Sequence, residues 1–225
     1  MDIVLGMRRM DMTSAIQLNE SILVDTGSRR IYLSKPVLTA EDEIASSFAS
    51  VLEELGIRYS IVAGYIAIMF GRSRRSDDID FIAYGVGEEK FLELCRRLGG
   101  AGFELMQGDI SSEESLRRIY REYLGQGYSV RFMYRGTILP NIEFKLARTR
   151  YQIYSIENCY EVVLNNSFRL RIAPIELQIA YKLRLGSEKD MGDAAFLYSL
   201  FKQVINGEEL KMWCEELGVN IKLLV

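Results

Sequence analysis

The sequence predicts an α+β fold, a mixed sheet flanked by helices over the first two-thirds of the chain and a mainly helical carboxy-terminal module. Three observations predict it. Short apolar runs, the mark of buried strands, alternate with segments whose apolar residues recur every three to four positions, the mark of amphipathic helices. Turn residues such as Asp25-Thr26-Gly27-Ser28, Arg135-Gly136 and Asn165-Asn166 separate the runs. From about Tyr151 the pattern becomes mostly helical. The expected division is residues 1–150, an α/β domain with an amino-terminal hairpin, and residues 151–225, the helical module. With 225 residues, 48% of them hydrophobic, the chain can bury a core without disulfide or metal staples.

The start, with Met1, Met7, Met10 and Met12, has no period and reads as an alternative start or a loosely held end. Ile22–Val24 and Ile31–Leu33 flank the Asp25–Ser28 turn as a hairpin, and Pro36 ends the extended stretch. Thr39 is placed to cap a helix that runs to about Leu55, with Ile44, Phe48, Val51, Leu52 and Leu55 at helical spacing. A strand over Tyr59–Ala63 follows Gly56, and Gly64 opens a short helix that stops at Gly71. The arginine-rich loop from Arg72 to Asp77 leads into a strand over Asp78–Tyr84. Next come a helix over Glu88–Leu98, a strand at Phe103–Met106, a helix over Ser111–Tyr123, and strands at Tyr128–Tyr134 and Ile138–Leu146. In the second module Val162–Leu164 and Phe168–Ile172 form a hairpin. Pro174 begins a helix reaching Leu185, and Gly186 breaks it. Ser187 with Asp190 caps a helix to about Val204, a last helix spans Glu208–Leu217, and Val219–Val225 is an expected terminal strand.

Composition excludes several chemistries. With no His, a Ser-His-Asp or Cys-His nucleophile and a His general base are absent. Cys95, Cys159 and Cys214 are odd in number and lack C-x-x-C spacing, so they read as buried apolar residues in a reducing compartment. No apolar run approaches the ~20 residues of a membrane span. The expectation is a cytoplasmic protein without a membrane partner. A net charge of −3 argues against a general nucleic-acid coat and leaves only a local basic patch at Arg72–Arg75.

The chemistry concentrates in residues 61–83. Asp78 and Asp80 are two apart on a strand, so both project from one face while Ile79 and Phe81 take the other. Two such carboxylates repel each other unless a cation lies between them. Gly64, at a strand-to-helix junction, permits close approach of a phosphate to backbone N–H groups. Glu143, a polar position between apolar ones on a later strand, is the candidate third carboxylate, with an exposed edge-strand Glu as the other reading. Such a set suits Mg²⁺-assisted transfer from a nucleoside triphosphate (NTP), with two ions.

Gly64-Tyr65 followed by Asp78-Ile79-Asp80 resembles the Gly-Ser or Gly-Gly … Asp-x-Asp signature of the nucleotidyltransferase superfamily, the polymerase-β-like fold. The segment from Ala173 to Lys182, with Glu188-Lys189-Asp190 and Asp193 after it, resembles the branch containing abortive-infection type toxin nucleotidyltransferases. The resemblance covers roughly residues 40–200. It implies metal ligation by Asp78, Asp80 and Glu143, with Gly64 and Tyr65 at the triphosphate and Lys182 and Asp190 or Asp193 near nucleotide and acceptor. Arg72, Arg74 and Arg75 are read either as a solvated loop or as contacts to phosphate. Asp190 is read alternatively as a helix cap. The implied partners are an NTP and an acceptor hydroxyl on RNA, protein or a small molecule. The sequence departs from the pattern at Tyr65, a bulky residue where Gly or Ser is usual. This leaves as alternatives an inactive nucleotide- or partner-binding module and the toxin of a toxin-antitoxin pair.

Overall fold

A computed structural model describes residues 14–224; the expectation for the Met-rich start lies outside the described residues. The strands are β1 (Ala15–Asn19), β2 (Ile22–Asp25), β3 (Arg30–Leu33), β4 (Arg58–Val62), β5 (Asp78–Tyr84), β6 (Phe103–Leu105), β7 (Val130–Tyr134), β8 (Thr137–Leu146), β9 (Tyr160–Leu164) and β10 (Phe168–Ile172). They form one ten-stranded sheet in the order β1-β2-β3-β9-β10-β4-β5-β8-β7-β6. The sheet is mixed. β3–β9, β10–β4 and β5–β8 pair in parallel, and the other neighbours pair antiparallel.

The helices are α1 (Ala40–Glu54), α2 (Gly64–Met69), α3 (Glu88–Gly100), α4 (Glu113–Glu122), α5 (Arg150–Glu157), α6 (Ile175–Leu185), α7 (Glu188–Phe201) and α8 (Gly207–Leu217). Thr39 caps α1 as its sequence suggests: its hydroxyl accepts from the Asp42 N–H, and the Asp42 carboxylate accepts from the Thr39 N–H. On that side of the sheet, α1 sets Phe48 against Phe81, Phe103, Phe132 and Phe144, with ring centroids 4.9, 5.3, 5.4 and 5.9 Å away. Four strands, β5 to β8, therefore share one aromatic anchor. Because Phe81 is buried on this face, Asp78 and Asp80 are delivered to the opposite one.

Three features differ from the sequence expectation. The β9–β10 hairpin, expected in the carboxy-terminal module, lies inside the sheet between β3 and β4, so the sheet continues across residue 150. β9 is mostly buried, and β10 alternates buried Leu170 and Ile172 with Arg169 and Arg171, a pattern that does not by itself distinguish a central hairpin from an isolated one. Helix α5 has no counterpart among the expected elements, although Thr149 and Gln152 make a capping box at its start. The expected terminal strand is instead a 3₁₀ turn over Ile221–Leu224, with Val225 outside the described residues.

Candidate active site on the acidic face of β5 and β8

Strand register assembles the site. Asp80 on β5 lies level with Val62 on β4 and Glu143 on β8, and Glu143 lies level with Arg131 on β7. Asp78 is level with Asn141, one step along. The three acids named from sequence are thus neighbours on one face of adjacent parallel strands. Each has a basic neighbour. Arg131 Nη2 is 2.7 Å from Glu143 Oε2 and 3.7 Å from Asp78 Oδ2, while Lys145 Nζ is 3.9 Å from Asp80 Oδ1. Burial pushes the Asp80 carboxyl up to about 6; Lys145 and Lys182 oppose the rise, and the negative charges of Asp78 and Glu143 add to it.

The donor set suits a hard divalent ion in part. Two aspartates side by side on one strand face are what Mg²⁺ commonly takes from a protein, completed by water and phosphate oxygens. Among the described residues, no three His, Cys, Asp or Glu side chains form a ready metal cluster. Glu143 is engaged by Arg131 instead.

A corner of strained backbone borders the acids. Ala63, between β4 and α2, has φ 63° and ψ −136°, a conformation that costs a residue with a Cβ ~1–3 kcal/mol. Gln178 of α6 holds it from both sides, donating Nε2–H to the Ala63 carbonyl at 2.8 Å and accepting the Ala63 N–H at 3.2 Å. Gly64 follows, and a Cβ there would stand 2.5 Å from Arg74 Nη2. The Arg74 guanidinium therefore lies directly on the face of Gly64 that the sequence reading left open for phosphate.

Tyr65 points elsewhere. It is fully buried, and its hydroxyl donates to Asp42 Oδ1 at 2.7 Å, where Lys35 Nζ also contacts both carboxylate oxygens at 2.8 Å. Burial, with Asp42 beside it, holds the phenol well above its ordinary pKa, so it remains a hydrogen-bond donor. The side chain cannot face a triphosphate, because it belongs to the core that ties α2 to α1. Tyr65→Phe is accordingly expected to cost about 1.5 kcal/mol, the worth of a hydrogen bond to a charged acceptor, and to leave NTP affinity unchanged. Denaturant melts and calorimetry check both halves.

The arginine loop divides. Arg74 makes a two-point fork on the fully buried Asp193 of α7, Nε to Oδ1 at 2.8 Å and Nη2 to Oδ2 at 2.7 Å. Arg72 also contacts Asp193 Oδ1 and donates to the Lys189 carbonyl at 2.8 Å. Arg75 is exposed, and its carbonyl accepts from Arg74. Lys182, 3% exposed at its side chain, sits 2.6 Å from Asp190 Oδ1 and 2.9 Å from Asp193 Oδ2. Asp190 also accepts from Ser187, which caps α7. Lys182 and Asp190 are thus brought together, but inside a buried network rather than on the open face. Burial lowers the Lys182 pKa, opposed by Asp190.

Sequence reasoning missed the site roles of Gln178 and Arg131. No local signal marks Gln178. For Arg131 the obstacle is register: Tyr134 pairs with Thr137, yet Phe132 pairs with Ile142, where an uninterrupted two-residue hairpin would set it opposite Leu139. Beside Asp80 the same face opens into a hollow under α5 and α6. Val62, Ile82 and Leu177 line its floor, and the rings of Tyr151 and Tyr181 lie 5.5 Å apart at its wall.

This architecture is similar to solved structures. The antibiotic-resistance factor ANT(2'')-Ia, in its crystal structure with adenylyl-2''-tobramycin, superposes with a TM-score of 0.50 at 15% identity, covering 80% of this chain and 98% of that one. Its solution structure gives 0.50 at 12% identity, over 77% and 89%. An antigenic nucleotidyltransferase-like protein from Paracoccidioides brasiliensis gives 0.48 at 16% identity, over 80% and 88%. No protein-family model and no curated protein sequence matches the chain. The chain has the nucleotidyltransferase fold, with a mixed sheet and flanking helices as the sequence suggests.

Proposed function

We propose that the protein is a Mg²⁺-dependent nucleotidyltransferase that moves a nucleoside monophosphate from an NTP to an acceptor hydroxyl. The observation that carries this reading is the placement of Asp78, Asp80 and Glu143 side by side on one face of β5 and β8, in a nucleotidyltransferase fold. Asp78 and Asp80 are the residues that would hold the ion. When bound, a divalent ion neutralises triphosphate charge and polarises the attacking oxygen. Glu143, one strand over from Asp80, takes the proton of the acceptor hydroxyl as its oxygen bonds to the α-phosphorus and pyrophosphate leaves. The hollow between Tyr151, Tyr181 and Leu177 receives the nucleoside. Tyr65, the residue that would argue for an inactive member, is a core side chain and removes no phosphate contact.

The test is transfer of label from an α-labelled NTP to a panel of RNA, protein and small polyhydroxylic acceptors. The last class is included because the ANT(2'')-Ia complex contains an adenylylated small molecule. Label is expected on one acceptor class in the presence of Mg²⁺ and to be lost with chelator. Absence of both transfer and Mg²⁺-dependent NTP binding at millimolar ligand would overturn the reading.

A further inference from the structure

We infer that Arg131 occupies the place of a second cation at the acidic face, so that the free protein binds one divalent ion, on Asp78 and Asp80, with Glu143 outside its coordination. The inference rests on the metal reading proposed above and replaces the two-ion arrangement that the sequence suggests. A single guanidinium nitrogen, Arg131 Nη2, touches Glu143 at 2.7 Å and reaches Asp78 at 3.7 Å. It therefore lies between those two carboxylates, where an ion shared by them would have to sit.

The contact is built into the sheet. Arg131 is paired with Glu143 in the β7–β8 ladder by the register shift between Phe132 and Tyr134, and its backbone N–H is fixed by Gln107 Oε1 at 3.0 Å. Arginine keeps its charge throughout the physiological range, so the position is not vacated by deprotonation. A divalent ion at Glu143 would meet that charge within a few ångströms or displace a formed ion pair. Asp80 is different, because among the described residues its only cationic side-chain contact within 4 Å is Lys145 at 3.9 Å, a distance without a hydrogen bond. The acidic face is thus satisfied at its Glu143 end and unsatisfied at its Asp80 end. Arg131 is a positioning residue here, since it sets the ion count and orients the Glu143 carboxylate.

The test is titration of the full chain with Mn²⁺ alone, counting bound ions by electron paramagnetic resonance and calorimetry. Wild type is expected to bind one equivalent, lost in Asp80→Asn, and Glu143→Gln to bind that equivalent within threefold of wild-type affinity. Arg131→Gln is expected to gain a second equivalent, and Arg131→Lys, which retains the charge, to remain at one. Two equivalents in wild type, a tenfold weakening in Glu143→Gln, or a single equivalent in folded Arg131→Gln each overturns the assignment. If Arg131→Gln does not fold, the wild-type count and the Glu143→Gln affinity still decide it. No Mn²⁺ binding by wild type overturns the metal reading itself, and this inference with it. Two wild-type equivalents with intact transfer overturn the Arg131 assignment alone.

Discussion

Asp80→Asn is expected to reduce nucleotidyl transfer by about a thousandfold or more and, in chelator at pH 7, to raise the stability of the fold. The loss follows from removing an anionic donor where transition-state charge is stabilised. The gain follows from electrostatics. Burial and the charges of Asp78 and Glu143 push the Asp80 carboxyl from its ordinary 3.8 to about 6, so the folded state binds that proton more tightly than the unfolded one. Below about pH 4 the group is protonated in both states and carries no penalty. As pH rises through the window from about 4 to 6 the ionised form is progressively imposed on the folded protein, and above it the penalty is complete, roughly 2–3 kcal/mol as an upper bound. An amide has no such charge. The stability gap between variant and wild type should therefore be largest at pH 7 and close as pH falls to 4. Urea melts at the two pH values, with and without Mg²⁺, measure it. A less stable variant at pH 7 without metal would show that Asp80 is already satisfied within the protein.

Local chemistry in the chain reaches part of this site and stops where long-range register begins. Asp78 and Asp80 were legible because a two-residue spacing on a strand commits both side chains to one face, and the buried Ile79 and Phe81 commit that face away from the core. The caps at Thr39 and Ser187 were legible for the same reason, since each is a contact between residues three apart. Glu143 could be named but not located, because its neighbour Asp80 is set by a parallel pairing between positions 63 residues apart in the chain. Arg131 needed a register shift inside a hairpin, and the Arg74–Asp193 fork joins positions 119 residues apart. Tyr65 shows the limit most plainly. Its place in the motif suggested the triphosphate, whereas the direction of its side chain was decided by a long-range partner, Asp42, that no local pattern of α1 points to.

The Arg74–Asp193 fork leads to the largest expected effect on stability. Asp193 is fully buried and is the shared counter-ion of Arg72, Arg74 and Lys182, whose side chains are 22%, 12% and 3% exposed. Asp193→Ala leaves three cations facing one remaining carboxylate, Asp190, which is bonded to Lys182 alone among them. Breaking a buried ion pair from one side costs about 3–5 kcal/mol, because the surviving charge remains without solvent or partner. Lys182 keeps Asp190 at 2.6 Å, whereas Arg74, 12% exposed, loses both points of its fork. The double variant Asp193→Ala with Arg74→Met should therefore recover part of the loss despite carrying a second substitution. The loop from Arg72 to Asp77 would also lose its tie to α7, and with it the guanidinium that covers Gly64 beside the strained Ala63 corner. Chemical denaturation of the single and double variants gives the coupling energy directly. A double variant less stable than the single one would mean that Arg74 stabilises the fold through contacts other than Asp193.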